Sequence, residues 1–298
     1  MKFLDNIDYN DIDKGIEFLK NHKFNYFLPE NEKTIYHVYW YGILGRKQIL
    51  CINSYLATQD LKNTELWVWL DFETFNKSRK LVPKHNNIKI KKYNPETESY
   101  NTPLEGKKYL KQNKFLKFRS DLARLIFLYK YGGIYFDLDL ILLKDLKPLL
   151  GVEFCYTWGA FKRGNNALIR FFKKSKNCIE VINKYKNIMI NGGDHVKKFN
   201  SKFKYTIGLV HEVYSNINII CFPSVMFDPV WILVDLKKKS KFSSLNNFDD
   251  FFKKTNENIN SFFDNQIFAY HWHSRNNYTI EINSYFEKLE KKLYSKIL

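Results

Sequence analysis

Cysteine is scarce and scattered. The four that occur, Cys51, Cys155, Cys178 and Cys221, form no C-x-x-C pair. That excludes the common structural zinc sites and a disulfide-stapled framework, and it fits a reducing compartment. Long hydrophobic runs are missing as well: no stretch reaches the ~18 uninterrupted apolar residues of a spanning helix. The opening MKFLDNIDYNDIDKG carries acids where a secretion signal has its apolar segment. A cytoplasmic, soluble protein is the expectation, with peripheral contact to an anionic membrane left open to its basic surface. Arginine is outnumbered by lysine, and basic runs such as DLKKKSKF (Asp235 to Phe242) lack the interleaved aromatics of a single-strand platform. Zinc-finger and basic-zipper spacings are absent too, so no nucleic-acid partner is expected.

What is present is a large apolar fraction. The chain has 298 residues, 45% of them hydrophobic and 17% aromatic, and 48 Lys+Arg against 31 Asp+Glu leave a formal charge of +17. This is enough for one sizeable core, and a single domain over residues 1–298 is expected. Residues 1–30 read as a helical extension, residues 237–260 as a polar loop suited to a lid, and residues 281–298 as a closing amphipathic helix. Between them, KTIYHVYW, ELWVWLD, NIKIKKY, IYFDLDLILL, EFCYTW, NINIICFP and QIFAYHWH read as strands. RKQILCINSYLATQ, KFLKFRSDLARLIFLYKYGG and NALIRFFKKS read as helices, the second with Phe115, Phe118, Leu122, Leu125, Ile126 and Tyr129 on one face and Gly132-Gly133 as its stop. Strands alternating with helices predict an α/β fold, a Rossmann-like, mostly parallel central sheet flanked by helices.

The chemistry concentrates in one greasy run. Read as a strand, IYFDLDLILL points Asp137 and Asp139 the same way, roughly 6 to 7 Å apart at Cα, and sends Ile134, Phe136, Leu138 and Leu140 to the core. Two carboxylates at the end of a buried strand cost several kcal/mol if unpaired. Backbone amides or lysines would satisfy them, and so would a divalent cation; carboxylates without cysteine select a hard ion, Mg²⁺ or Mn²⁺. On the preceding helix Asp121 and Arg124 share a flank, either as an intrahelical ion pair or as a pair turned toward the acids by the Gly132-Gly133 turn.

The stretch FRSDLARLIFLYKYGGIYFDLDLILLKDL, with its order S-D-x-x-R, Y-G-G-x-Y-x-D-x-D, resembles the signature of D-x-D sugar-nucleotide glycosyltransferases of the GT-A fold. The resemblance is to the retaining group that includes the initiating mannosyltransferases and α-1,4-galactosyltransferases, and more distantly the clostridial glucosylating toxins. It implies that Asp121 and Arg124 hold donor-sugar hydroxyls, that Asp137 contacts sugar or ribose and helps the metal site, and that Asp139 binds the metal. The opening strand IYHVYWYG is similar to the family's first element, which implies His37 and Trp40 in the nucleotide pocket. FAYHWHSRNN is similar to its closing stretch, which implies His271 at the metal and His273 toward the diphosphate. The implied activity is Mn²⁺- or Mg²⁺-dependent transfer of a hexose from a nucleoside-diphosphate sugar, UDP favoured over GDP, to a hydroxyl of a glycan or other acceptor. Two rivals share the acidic pair and the basic surface: a carboxylate-metal phosphodiesterase or nuclease, and a non-catalytic binder of nucleic acid or anionic surfaces.

Overall fold

The structure, a computed structural model, describes residues 2–3, 32–106, 116–158, 164–191, 216–230, 247–262, 267–273 and 277–297, with isolated positions 17, 20, 21, 110, 214 and 245. Most of the helical extension expected over residues 1–30, and residues 237–244 of the expected lid, lie outside these. Among the described residues eight strands form one sheet: β1 (Lys2–Phe3), β2 (Thr34–Trp40), β3 (Thr64–Asp71), β4 (Ile88–Tyr93), β5 (Gly133–Phe136), β7 (Phe154–Thr157), β8 (Gly164–Phe171) and β9 (Ile220–Phe222). Their spatial order is β1-β9-β7-β8-β5-β2-β3-β4. Every neighbouring pair is parallel except the two made by β8, which runs against both β5 and β7. A second, two-stranded sheet pairs β6 (Leu140–Leu142) antiparallel with β10 (Ala269–His271).

Alternation in the strands supplies two cores. In β2, Tyr36 and Val38 face one layer, where they meet Leu50, Ile52 and Tyr55 of α1 (Arg46–Thr58). Tyr39 faces the other, with Leu122, Leu125 and Ile126 of α2 (Leu116–Tyr131) and Val181 and Ile182 of α3 (Lys176–Asn191). The closing helix α4 (Tyr285–Ile297) buries Phe286, Leu289 and Leu293 in the α1 layer. The period-2 and period-3.6 patterns that built the sequence reading are these two faces.

Two glycines join α2 to β5. Gly132 has φ +69° and Gly133 φ +101°, conformations that side chains rarely adopt. A Cβ on Gly133 would stand 2.0 Å from the Ile35 carbonyl oxygen of β2, so no larger residue fits where the helix is turned directly into the sheet.

Two expectations need correction. NALIRF is strand, not helix: all eight residues of β8 are buried, so both faces are covered and the spacing of Ala167, Leu168 and Phe171 carried no directional information. The acidic strand is also not continuous. It stops at Phe136, the Leu140 N–H donates to the Asp137 carbonyl over 3.0 Å, and Asp137-Leu138-Asp139 forms a tight turn before β6. Aspartate is a poor strand former and a good turn former, and the break frees the chain to leave the sheet and pair with β10. The described end of the expected polar loop holds a 3₁₀ turn, Phe248–Phe252, with Phe248, Phe251 and Phe252 buried in the α1 layer.

Candidate active site

The sheet's topology decides where polar residues gather. From β2 the chain moves outward to β3 and β4, then crosses back to β5 on the other side of β2. Such a reversal opens a crevice at the carboxyl ends of the strands. Asp137 leaves β5 there, and Trp40 ends β2 beside it.

Arg124 is the hub on the α2 side. Only 3% exposed, it reaches from α2 to Asp137, with Nη2 3.1 Å from Oδ1 and Nη1 3.5 Å from Oδ2. The same guanidinium lies 3.2 Å from Asp121 Oδ1 and donates to the Asn166 carbonyl of β8. Asn166 in turn donates to Asp121 Oδ1 over 2.9 Å, and Tyr135, 4.5 Å beneath the guanidinium, donates its hydroxyl to Asp137 Oδ1 over 3.0 Å. The intrahelical pair and the reach to the acids both exist, because the glycine turn brings α2 over the end of β5. Burial works against the Arg124 charge, but Asp137 and Asp121 outweigh it and hold the group fully charged. For Asp137, burial and the neighbouring Asp139 overcome Arg124 and push the carboxyl up to about 6. The pocket is short of positive charge at that acid.

The second half surrounds Asp139. His271, carried by β10, sets its Nε2 3.1 Å from Asp139 Oδ1. The β6–β10 pairing produces this meeting: His271 is opposite Leu140, and the Trp272 N–H donates to the Asp139 carbonyl over 2.9 Å. The other ring nitrogen of His271, Nδ1, lies 3.0 Å from the Tyr156 hydroxyl and 3.3 Å from Asp228 Oδ2. His273 sets its Nε2 2.7 Å from the same Asp228 oxygen, and the two imidazoles stack at 3.8 Å. Burial opposes charge on His271, yet Asp139 and Asp228 together push it up to about 10; burial and the neighbouring His271 hold His273 down. Burial would raise Asp228, but the two histidines keep it below the usual carboxylate range.

Asp228, His271 and His273 present ligand atoms that all lie within 4.8 Å of one another, and Asp139 adjoins them. Carboxylate oxygens with imidazole nitrogen and no thiolate suit Mn²⁺ or Mg²⁺. Asp121, Asp137, Asp139 and Asp228 together outnumber the cations Arg124 and His271, which fits the same conclusion, since a divalent ion would offset the remaining charge.

Asp121, Arg124, Asp137, Asp139, His271 and His273 thus meet in one crevice. His37 does not join them. It is fully buried on the α2 face of β2, its Nε2 2.9 Å from the Gly132 carbonyl and its Nδ1 accepting from Trp69 Nε1 over 3.1 Å. Phe127, Trp67 and Tyr131 pack around the ring, and burial lowers it to about 3. It is a neutral core residue without surface to offer a ligand. Trp40, half-buried, ends β2 at the carboxyl edge of the sheet and packs against the α1-layer core. Asp228, Asn166 and Tyr156 were not anticipated. For Asp228 a signal existed: VMFDPVW places a lone acid inside an apolar run, the same anomaly that marks the acidic pair.

Residues 52–155 match the family model described as the glycosyltransferase sugar-binding region containing a DXD motif. That stretch resembles the D-x-D region of glycosyltransferases, and the mixed α/β architecture around it is of the GT-A type. It contains Asp121, Arg124, Asp137 and Asp139, while Asp228 and His271 lie beyond it. The glycosyltransferase GlyE of Streptococcus pneumoniae TIGR4 superposes with a TM-score of 0.51 at 13% identity, over 90% of this chain and 61% of its own. Its apo form gives 0.50 at 14% identity, over 89% and 60%. The Arabidopsis thaliana protein At4g19900, described as uncharacterized, is 36% identical over 90 residues, 28% of this chain and 14% of its own length. The chain therefore spans less than two thirds of GlyE and a small part of the plant protein. Among the described residues no helix is long and apolar enough to cross a membrane.

Proposed function

We propose that the chain is a metal-dependent, retaining glycosyltransferase that moves a hexose from a nucleoside-diphosphate sugar, UDP in preference to GDP, to a hydroxyl of a glycan or other acceptor. The supporting observation is the convergence of the Asp121–Arg124–Asp137 network and the Asp139–His271 pair at the carboxyl edge of a GT-A sheet. Asp139 and His271, with Asp137 beside them, would hold Mn²⁺ or Mg²⁺. When bound, such an ion supplies charge stabilisation for a departing diphosphate.

The chain's own residues do the rest by position. Arg124 is held by Asp121, Asn166 and Asp137, so its fork is already oriented, and Asp121 sits beside it as the second residue proposed for the sugar. Preorganised groups of this kind lower a barrier without reorganising during the reaction. Trp40 offers a ring at the crevice mouth for the base. Retention, UDP preference and the acceptor class are proposed on the strength of the sequence resemblance.

The test is donor hydrolysis and transfer with UDP- and GDP-sugars in Mn²⁺, with the anomeric configuration of the product read by NMR. Asp139→Asn is expected to lower kcat by at least 10²-fold while leaving the circular dichroism spectrum unchanged. Turnover that persists in this variant, or in wild type stripped by a chelator, would overturn the metal-dependent reading.

A further inference from the structure

We propose that Asp228 is the positioning residue of the metal centre, holding the His271 ring so that Nε2 is the nitrogen presented beside Asp139. The proposal rests on the metal-dependent reading above and adds a residue outside the matched family region.

The geometry supplies the reason. Asp228 follows β9 after a 3₁₀ turn, Ser224–Met226, and its N–H donates to the Ser224 carbonyl over 2.6 Å, which anchors its backbone. The side chain is 1% exposed and faces the two imidazoles: Oδ2 is 3.3 Å from His271 Nδ1 and 2.7 Å from His273 Nε2. On the far side of the His271 ring, Nε2 meets Asp139 Oδ1 at 3.1 Å. The ring therefore has a carboxylate at each nitrogen. A neutral imidazole has one N–H and one lone pair, and the partner of one nitrogen decides which form is present. With Asp228 beside Nδ1, the proton that a cation held by Asp139 would displace is the one on Nε2, which leaves that nitrogen's lone pair for the ion. This is the carboxylate–histidine–metal arrangement in which the outer acid sets tautomer, ring angle and basicity of the ligand.

His273 reinforces the same acid. Its backbone is left-handed at φ +52°, unusual for a residue other than glycine, and that bend returns its ring to stack on His271 while its Nε2 reaches Asp228. A carboxylate buried this deeply for packing alone would be costly; two imidazole rings with nitrogens within 3.3 Å of one of its oxygens give it a task.

The experiment measures Mn²⁺ affinity directly, by the electron paramagnetic resonance signal of the free ion, in the full chain with UDP present. Asp228→Asn is expected to weaken Mn²⁺ binding 10- to 100-fold. Tyr156→Phe, which removes only the hydroxyl at His271 Nδ1, should change it less than threefold. Because the Asn variant risks misfolding, the wild-type protein with Mg²⁺ and UDP provides a second readout: ¹⁵N NMR of His271 should find Nδ1 protonated and Nε2 not. Mn²⁺ affinity within threefold of wild type in a folded Asp228→Asn variant, or His271 protonated on Nε2, overturns the proposal. Absence of Mn²⁺ affinity in the wild type instead overturns the metal-dependent reading on which it stands.

Discussion

At the scale of single residues, His37 separates a resemblance from a role. Its ring is neutral, encased, and lowered to about 3 from an ordinary value of 6.5 by burial. The unfolded chain binds a proton there that the folded chain refuses, so stability is complete above pH ~6.5 and is lost as pH falls toward ~3. Replacing His37 by Gln removes this titration. In urea denaturation, the gap between wild type and His37→Gln should narrow by about 2 to 3 kcal/mol between pH 7 and pH 4.5. A constant gap would mean that the ring accepts its proton while folded. The carboxylates and Arg124 were legible in the sequence because D-x-D and S-D-x-x-R are ordered polar interruptions of apolar segments. Asp228 carried the same kind of interruption alone, without a repeated spacing to set it apart. Asn166 was hidden further, since half of its part is played through a backbone carbonyl that any residue has and the other half through an amide inside a segment misread as helix.

At the scale of elements, the glycine turn between α2 and β5 places Arg124 over Asp137, and it has no slack. Gly133→Ala would drive a Cβ to 2.0 Å from the Ile35 carbonyl at φ +101°, and a loss above about 4 kcal/mol in chemical denaturation is expected, the range of exceptional substitutions. Gly106 is the control: φ is +68° but nothing lies within 4 Å of an added Cβ, so Gly106→Ala should cost about 1 to 2 kcal/mol. Similar losses at the two positions would mean that α2 and β5 can reseat. β2, α1 and α2 were read from the sequence to within a few residues, because turn signals bound each of them: Gly42 and Gly45 between β2 and α1, and Gly132-Gly133 after α2. The failures came where periodicity carries no information: β8 is buried on both faces, and the acidic segment changes sheets within its apolar run, which a pattern of alternating side chains cannot reveal.

At the scale of the whole molecule, the site is a joint between two sheets. Asp137 belongs to the end of the large sheet, whereas Asp139 and His271 flank the β6–β10 pair. An ion held among them favours the folded state by mass action. Mn²⁺ with UDP at ~100 times the dissociation constant should add about 2.7 kcal/mol, a rise of several degrees in thermal midpoint. Asp139→Asn should lose most of that gain while keeping its midpoint in chelator close to wild type. An equal gain in both proteins would place the ion elsewhere.

The pairing of β6 with β10 brings together segments more than a hundred positions apart in the chain. The acids have their imidazole only once that long loop is closed. In refolding, manganese capture would therefore time the β6–β10 pairing itself, whatever the sequence of earlier steps.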